Sequence, residues 1–316
     1  MLRGTEPPRT SVIITSYNYA RYLSTAIASV LAQTDGDFEL IIVDDSSTDD
    51  SVAVVRACED PRVRLIVQPH KGLGAARNNG IRAASGRYIA FLDADDIWAK
   101  DKLASQCEIL DRDPNIGLVY TRFGIIDPEG RLQSSGYSYF SAMRSGALLP
   151  FLVTGNVVGT PSTICFRRAL VDLHHVNFDE TETYIEDWQF YLKLAPHCAF
   201  SYLARTLVFH RQHDRNMQAT LLIDMTQSLN TARFGLTQAR HFLGAKDSDL
   251  RRLDRKVHAY IDGMAGREYV KAGRLDLARL HAGRSIRQYP WNVTELVLYV
   301  LASLNWVPQS VRRHLK

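Results

Sequence analysis

Apolar and polar positions alternate in a regular way through the first 120 residues of the chain. Short continuous runs rich in Val and Ile, typical of parallel strands covered on both faces, alternate with stretches whose apolar residues recur at helical intervals. The predicted strands are residues 11–15, 39–43, 63–67 and 87–92, and the predicted helices are residues 21–32, 50–58, 74–84 and 100–110. This order predicts an α/β domain, a mostly parallel sheet flanked by helices, with right-handed crossovers.

The pattern beyond this region is less regular. Residues 120–163 show no clear period, apart from a turn predicted at residues 127–130 by Pro and Gly. Apolar residues then predict a strand at 163–166 and an amphipathic helix at 188–194.

The C-terminal part of the chain is predicted to be helical from about residue 217. Residues 265–289 resemble a tetratricopeptide-like helix pair, although one such unit is too little to build a solenoid. We therefore expect an α/β domain at residues 1–215 and a helical C-terminal region at residues 216–316.

The last predicted helix, residues 293–306, is strongly apolar and is followed by Arg312, Arg313, His314 and Lys316. This stretch is too short to span a bilayer. An apolar helix with a basic end can instead lie on an anionic membrane surface. Burial in a homodimer or on the domain surface is an equally open alternative.

Composition adds mainly exclusions. The chain has 46% apolar and 23% charged residues, which is ordinary for a globular protein, and a net charge of +4 with scattered Lys and Arg gives no support to nucleic-acid binding. The cysteines lie far apart without a C-x-x-C pair, as expected of thiols in a reducing compartment; they are Cys58, Cys107, Cys165 and Cys198. Because residues 1–10 carry no apolar signal core, we expect a cytoplasmic protein.

Polar and acidic residues follow three of the predicted strands, at residues 16–18, 44–49 and 93–96. Ligands of open α/β sheets bind at the carboxyl ends of strands, so these residues are the first candidates for chemistry. Carboxylates gathered at one edge repel each other by about 4 kcal/mol per pair at 4 Å and an effective dielectric near 20. The pair Asp93 and Asp95 therefore suits a hard divalent ion, Mg²⁺ or Mn²⁺, completed by water and the oxygens of a nucleotide diphosphate.

Other interpretations of these motifs exist. A D-x-D sequence occurs by chance, and Asp93 or Asp96 can cap the following helix, as Asp49 can cap its own. Two acidic clusters at strand ends of one sheet are harder to explain as independent caps. A dinucleotide fingerprint starting at Gly72 is rejected, because Arg77 occupies the position of its last glycine and the element does not follow the first strand.

Several segments occur together in one order: residues 12–18, 33–34, 38–49, 72–78, 86–96 and 186–188. In this combination the chain resembles the family 2 glycosyltransferases, which have the GT-A fold. The resemblance covers about residues 10–215 and departs slightly at Ser46 and Ser47, where a Gly-Ser pair is commoner. It implies transfer of a sugar from a nucleotide diphosphate donor onto a hydroxyl, with inversion at the anomeric carbon.

On the donor side, the resemblance implies that Thr15 and Tyr17 border the nucleoside. Asp45 matches the carboxylate that hydrogen-bonds a uracil-type base, and Asp44 supports it. Arg77 matches an arginine near the diphosphate, with a structural salt bridge from its helix as an equal alternative.

The metal site is implied by the match of Asp93 and Asp95 to the family D-x-D motif. Asp95 is then the direct ligand of Mn²⁺ or Mg²⁺, and Asp93 contacts the ribose or a metal-bound water. Residues 209–213 resemble a loop after the last strand, in which Arg211 approaches the diphosphate and His213 approaches the diphosphate and the ion.

The general base implied by the resemblance is Asp187, within an E-D-W motif at a helix start. Removal of a proton by such a carboxylate contributes about 10²- to 10⁴-fold in rate. A helix N-cap is the structural alternative for this residue. Glu186 is expected to orient the acceptor or the base, and Trp188 to give an apolar wall on which an acceptor sugar stacks.

The most favoured function is therefore a metal-dependent, inverting glycosyltransferase that uses a UDP-sugar and a glycan or lipid-linked acceptor in cell-surface polysaccharide synthesis. One alternative is an inactive sugar-nucleotide- or glycan-binding module, which has little reason to retain Asp93, Asp95 and Asp187. A Rossmann dehydrogenase is the other. We expect the protein in the cytoplasm or on the cytoplasmic face of the membrane.

Overall fold

The computed structural model describes residues 6–137, 144–181, 185–213, 225–290 and 293–303. The strands are β1 Thr10–Ser16, β2 Phe38–Asp44, β3 Val63–Val67, β4 Tyr88–Asp93, β5 Ile97–Trp98, β6 Ile116–Ile126, β7 Leu132–Tyr137, β8 Ile164–Arg167 and β9 Ala199–Arg211. The helices are α1 Ala20–Leu31, α2 Ser51–Arg56, α3 Leu73–Ala83, α4 Lys102–Arg112, α5 Leu149–Leu152, α6 Arg168–His174, α7 Glu186–Leu194, α8 Met225–Leu243, α9 Asp247–Lys271, α10 Leu275–Gln288 and α11 Val293–Ser303.

The chain forms two compact units. The first comprises residues 1–148 with 157–216, and the second comprises residues 149–156 with 217–316. The predicted strands and helices of the first 112 residues are all confirmed, with bounds shifted by one or two residues.

The first unit is built on one sheet, which has nine strands among the described residues. Its order is β3-β2-β1-β4-β8-β6-β9-β5, and β7 pairs with β6. The strands β1 to β4 are mutually parallel, as predicted. The strand predicted at residues 163–166 is confirmed as β8, but it runs antiparallel to β4 and β6.

Continuous apolar sequences explain the central strands. All of β1, and all of β2 and β4 except Glu39 and Asp93, are buried, as expected of a sheet covered on both faces. On one face, the strands pack against Leu23 of α1 and Leu103 of α4 in a single hydrophobic cluster. Burial of this apolar area stabilises the unit by about 25 cal/mol per Å² and fixes the strand ends.

Register brings the acidic strand ends together. Thr15 of β1 pairs with Asp93 of β4, and Ser16 pairs with Asp44 of β2. Neighbouring strands lie about 4.8 Å apart, so Asp44 and Asp93 stand on one edge of the sheet with backbones roughly 10 Å apart. This edge is where the candidate site lies.

The second unit is helical. The predicted helix pair is confirmed as the end of α9 and α10, and α11 packs on both through Leu298, with Val270, Ala278 and Ala282 in the same small core. Among the described residues, no helix has both the length and the apolar composition needed to cross a membrane. Residues 304–306 of the predicted last helix, with Arg312, Arg313, His314 and Lys316, lie outside the described residues.

Candidate active site

The turn after β2 is organised by Asp44. Its Oδ1 accepts the Ser47 N–H at 2.8 Å, and its Oδ2 accepts the Ser47 hydroxyl at 2.6 Å. Both oxygens therefore fix the backbone that follows, in which Ser46 has a φ of 65°. A supporting role for Asp44 beside Asp45 agrees with these contacts, although contact with a nucleotide stays a prediction.

Asp45 holds the loop between β3 and α3. Its Oδ1 accepts from Gln68 Nε2 at 2.8 Å and from the Lys71 N–H at 2.9 Å. Its Oδ2 accepts the Gly72 N–H at 2.8 Å and lies 2.9 Å from His70 Nδ1. Gly72 has a φ of 90°, a conformation that favours glycine and points this N–H at the carboxylate. The sequence predicted that Asp45 contacts the nucleotide base, but it did not predict that Asp45 also holds this loop.

An aromatic pair stands beside Asp45. The rings of Tyr17 and His70 have centroids 4.3 Å apart, and Tyr17 is 42% exposed. Thr15 is buried one strand away. The exposed ring fits the prediction that Tyr17 borders a nucleoside, and the role of both residues stays a prediction.

Arg77 joins two motifs that lie far apart in the sequence. Its Nη2 donates to Asp93 Oδ1 at 2.9 Å, and its Nη1 donates to Glu186 Oε1 at 2.5 Å. Arg77 is fully buried, and the second oxygen of Asp93 accepts from the Thr160 hydroxyl at 3.0 Å. We call Arg77, Asp93 and Glu186 the Arg77 ion network. The salt-bridge alternative for Arg77 therefore describes its contacts in this structure, and its predicted approach to the diphosphate stays a prediction.

Asp187 follows within the first turn of α7, which starts two residues earlier than predicted. Its Oδ1 accepts the Trp188 N–H at 2.6 Å. Burial, and then the negative charge of Glu186, raise the pKa of Asp187 from 3.8 to about 8, while Arg77 acts in the opposite direction. A carboxyl with a raised pKa at the edge of the sheet is suited to accept a proton from a hydroxyl.

Trp188 is packed differently from the prediction. It is only 2% exposed, so its ring is part of the core of the first unit. Successive helix positions are about 100° apart, so the side chain after Asp187 points away from the direction of the carboxylate. The predicted stacking of an acceptor sugar on Trp188 therefore stays a prediction without an exposed ring face to support it.

The acidic residues after β4 are paired with the end of β9. Asp95 Oδ2 lies 3.1 Å from His213 Nε2. Asp96 Oδ1 lies 3.0 Å from His210 Nδ1 and accepts the Arg211 N–H at 3.1 Å. Burial tends to lower the pKa of His210, but the adjacent Asp96 outweighs it and raises this pKa to about 9.

Arg211 is held by main-chain oxygens. Its Nε donates to the Asp95 carbonyl at 2.8 Å, and its Nη1 donates to the Pro128 carbonyl at 2.9 Å. Pro128 lies in the predicted turn, in which the Gly130 N–H donates to the Asp127 carbonyl. The prediction that residues 209–213 form a loop was wrong for residues 209–211, because β9 pairs with β6 as far as Arg211. The contact of Arg211 with a diphosphate stays a prediction.

The residues of the predicted metal site suit a divalent ion. Asp95 Oδ2 and His213 Nε2 face each other, and carboxylate oxygen and imidazole nitrogen are both ligands that Mn²⁺ accepts. Burial, followed by the nearby Asp96 and Asp93, raises the pKa of Asp95 against the hydrogen bond from His213, so a cation here would relieve repulsion. Among the described residues, no group of three or more His, Cys, Asp or Glu side chains forms a metal cluster.

Sequence reasoning missed several residues of this edge, namely Gln68, His70, Asn78, Thr160 and His210. Asp96 follows the D-x-D motif directly, and this third acidic residue was the one signal in the sequence that could have predicted a partner for His210. The contacts of Gln68, His70, Asn78 and Thr160 join residues 23 to 100 positions apart, and no local pattern marks them.

Comparison with known proteins gives one family. Residues 11–172, more than half of the chain, match the family model described as Glycosyl transferase family 2. An uncharacterised glycosyltransferase of Nostoc sp. is 38% identical over 51% of this chain and 52% of its own length. Chondroitin synthase of Escherichia coli is 31% identical over 66% of this chain and 30% of its own length. The chain thus spans about half or less of these curated relatives.

Solved structures show the same fold. Staphylococcus aureus TarS 1–349 in complex with UDP-GlcNAc matches with a TM-score of 0.67 and 17% identity, covering 97% of this chain and 90% of that chain. The mannosyltransferase PcManGT of Pyrobaculum calidifontis in complex with GDP-Man and Mn²⁺ matches with a TM-score of 0.58 and 18% identity, covering 98% and 86%. The fold is therefore GT-A. Because the family model matches more than half of the sequence, the chain belongs to the family 2 glycosyltransferases.

Proposed function

We propose that this protein transfers a sugar from a UDP-sugar onto a hydroxyl group of a glycan or lipid-linked glycan, with inversion at the anomeric carbon. The observation that carries the proposal is the Arg77 ion network. It joins Asp93, at the end of β4, to Glu186, at the start of α7, and so brings the D-x-D and E-D-W motifs to one place. Thr15, Tyr17, Asp44 and Asp45 lie along the same edge, where the donor would bind.

The proposed reaction is a single displacement. The Asp187 carboxylate accepts the proton of the acceptor hydroxyl while its oxygen bonds to the anomeric carbon. The bond from that carbon to the diphosphate oxygen breaks, and the diphosphate leaves with the electron pair. One base with no second carboxylate acting as a nucleophile gives inversion. Asp187 must be deprotonated for this step, which its raised pKa makes pH-dependent.

Asp95 and His213 are the residues we propose to hold Mn²⁺ or Mg²⁺, with Asp93 on the ribose or a metal-bound water. Such an ion supplies Lewis-acid stabilisation of the leaving diphosphate. The solved structure of the mannosyltransferase PcManGT, which has a similar fold, contains Mn²⁺, and this supports the metal part of the proposal. Excess EDTA should abolish transfer, and added Mn²⁺ should restore it; full activity in EDTA contradicts the assignment of Asp95.

The donor is tested by thermal shift with sugar nucleotides and Mn²⁺. A ligand at about 100 times its Kd adds about 2.7 kcal/mol of stability, so a UDP-sugar should raise Tm while the matched GDP-sugar does not. Asp45→Asn should reduce the UDP-dependent shift. A larger Tm shift with GDP-sugars contradicts the assignment of uracil as the nucleotide base of the donor. NMR of the product tests inversion at the anomeric carbon directly.

The acceptor proposal is cell-surface polysaccharide or a lipid-linked precursor. The relative named chondroitin synthase supports the polysaccharide class. Incubation of radiolabelled UDP-sugars with glycan and polyprenyl-diphosphate-glycan acceptors distinguishes the two. Donor binding without transfer to any acceptor or to water would favour the alternative of a binding module.

We also propose contact with an anionic membrane surface through α11. Leu296, Val297 and Val300 are about half exposed, and a groove of about 420 Å³ between α10 and α11 is lined in part by Arg279 and Arg287. An apolar ridge beside arginines matches an anionic lipid surface. The protein should sediment with phosphatidylglycerol vesicles and not with phosphatidylcholine vesicles, and Val297→Glu with Val300→Glu should abolish this. A dimer by light scattering without vesicle binding contradicts the membrane proposal.

A further inference from the structure

The helix α3 presents a polar, close-packed face to residues 178–180. This short segment precedes α7, which carries Glu186 and Asp187. Three residues of α3 lie against this region. Gly74 and Asn78 contact residues 178–180, and Arg77 contacts Glu186 of α7.

Asn78 binds the backbone of Phe178 in both directions. The Phe178 N–H donates to Asn78 Oδ1 at 2.9 Å, and Asn78 Nδ2 donates to the Phe178 carbonyl at 2.9 Å. The same Nδ2 donates to Glu180 Oε1 at 2.9 Å. Asn78 is buried, so its amide acts as a peptide-like partner for a segment 100 residues away. An unpaired backbone group at such a site costs about as much as a lost hydrogen bond.

Gly74 allows this close approach. A Cβ atom added at Gly74 would lie 2.6 Å from the Asp179 carbonyl oxygen, a distance that no side chain tolerates without a shift of backbone. The absence of a side chain one turn before Asn78 therefore lets the segment lie directly on α3.

Phe178 transmits its position to α7. Its ring stacks on Phe190 of α7 with centroids 4.3 Å apart and planes 5° apart, and it meets Phe91 of β4 edge-on at 5.5 Å. All three rings are buried. Because packed cores transmit displacement rather than absorb it, a shift of the Phe178 backbone moves α7 against the sheet edge.

We propose that Asn78 is a positioning residue for the base Asp187, acting through Phe178 and its stack on Phe190; this inference rests on the proposed function. Arg77 holds the first residue of α7 by charge, and Asn78 holds the segment packed beside α7 by backbone hydrogen bonds. Neighbouring residues of α3 thus fix α7 at two places, while the side-chain hydrogen bonds of Asn78 go to Phe178 and Glu180 and none of them reaches the described residues of the donor side.

The first test compares Asn78→Ala with Arg82→Ala, a change at an exposed position of the same helix. Asn78→Ala should lower kcat about 10- to 100-fold, since misplacement by about 1 Å can cost that much, and should leave the Kd of the donor within about twofold. Arg82→Ala should change neither. A loss of kcat that matches the loss of folded protein, or a parallel loss of donor binding, overturns the proposal.

A charge test separates positioning from simple damage. Asn78→Asp places a carboxylate against the Phe178 carbonyl and Glu180, so kcat should fall further than with Asn78→Ala. Adding Glu180→Gln to Asn78→Asp supplies an amide donor in place of a like charge and should recover at least about tenfold of the lost kcat. Glu180 is exposed, and Glu180→Gln alone should be silent. Absence of recovery in the double variant contradicts the assignment.

Hydrogen exchange provides a readout that does not need turnover. Asn78→Ala should speed exchange of the Phe178 amide and of amides in α7, and leave those of β1 unchanged. If the wild-type protein has no transferase activity, the proposed function is contradicted, but the positioning of α7 by Asn78 is not. Unchanged exchange at Phe178 and α7 in the variant defeats the positioning role, whether or not the protein transfers sugar.

Discussion

The carboxylates at the two ends of the sheet edge are treated in opposite ways. On the donor side, both oxygens of Asp44 accept hydrogen bonds from its own loop, and both oxygens of Asp45 accept hydrogen bonds from the loop between β3 and α3. On the base side, the buried Glu186 is adjacent to the half-buried Asp187, and Glu186 Oε2 lacks a hydrogen-bond partner in the described part of the chain. One pair is satisfied by the fold, and the other is left partly unsatisfied.

This difference separates a binding surface from a reactive one. A saturated carboxylate stiffens the backbone around it, and its substitution mainly changes how well a ligand fits. On the base side, Glu186 Oε2 keeps acceptor capacity, and the raised pKa of Asp187 suits it to accept the proton of a bound hydroxyl. We therefore expect base-side variants to change kcat and donor-side variants to change KM.

The largest expected effect is that of Asp187→Asn. The amide keeps the shape of the side chain but cannot accept a proton, so kcat should fall about 10²- to 10⁴-fold while donor affinity is kept. Single-turnover transfer with radiolabelled donor measures it. Asp172→Asn, at an exposed carboxylate of α6, is the matched control and should be silent. Unchanged turnover in Asp187→Asn would contradict the assignment of Asp187 as the general base. It would also contradict the distinction between a binding side and a reactive side.

The next effect is on stability. Arg77→Met leaves Asp93 and Glu186 without their cation, and loss of one partner of a buried ion pair costs about 3–5 kcal/mol. Arg112→Met breaks an exposed pair with Glu108 and should cost less than about 1 kcal/mol. Urea denaturation measures both. Adding Glu186→Gln to Arg77→Met should recover part of the loss, and equal losses in the two single variants would contradict a buried network.

The third effect is on pH dependence. The pKa of Asp187 is raised to about 8, so kcat/KM should fall about tenfold per pH unit below that value. Removal of the neighbouring negative charge in Glu186→Gln favours the charged form of Asp187 and should move this limb to lower pH. The native state holds a proton that the unfolded chain loses near 3.8, so the free energy of unfolding should fall as pH rises from about 4 to about 8. A limb that stays fixed in Glu186→Gln contradicts the coupling.

The same comparison shows what the sequence can predict. The strands that end at Asp44 and Asp93 were predictable because buried parallel strands read as continuous apolar runs. The long strands β6 and β9 were not predicted, since β9 mixes Arg, Ser and Thr with apolar residues and pairs with β6 through shifts of register. The GT-A fold was predictable from the combination of motifs, which is independent of those strands.

Residue roles were harder to predict than the fold. Trp188 follows Asp187 in the motif, but helix geometry turns it into the core. Lys102 gives the same lesson: it is fully buried over the Trp98 ring, and burial lowers its pKa to about 7, although nothing in its local sequence indicates this. Such environments depend on contacts between distant segments, which neither periodicity nor motif spacing contains.

The smallest expected effect is that of Asp45→Asn. The new amide keeps one oxygen acceptor, but its NH₂ group meets an N–H donor of the loop at Lys71 or Gly72, so one charge-assisted hydrogen bond is lost. Such bonds are worth about 1.5–3 kcal/mol, part of which the loop recovers by relaxing, so the KM for the donor should rise about tenfold with kcat within about threefold. Asp113→Asn, at a partly exposed turn carboxylate after α4, is the control and should change neither constant. A fall of kcat in Asp45→Asn as large as that of Asp187→Asn would mean that the loop held by Asp45 also shapes the transition state, and the division between a binding side and a reactive side would no longer hold.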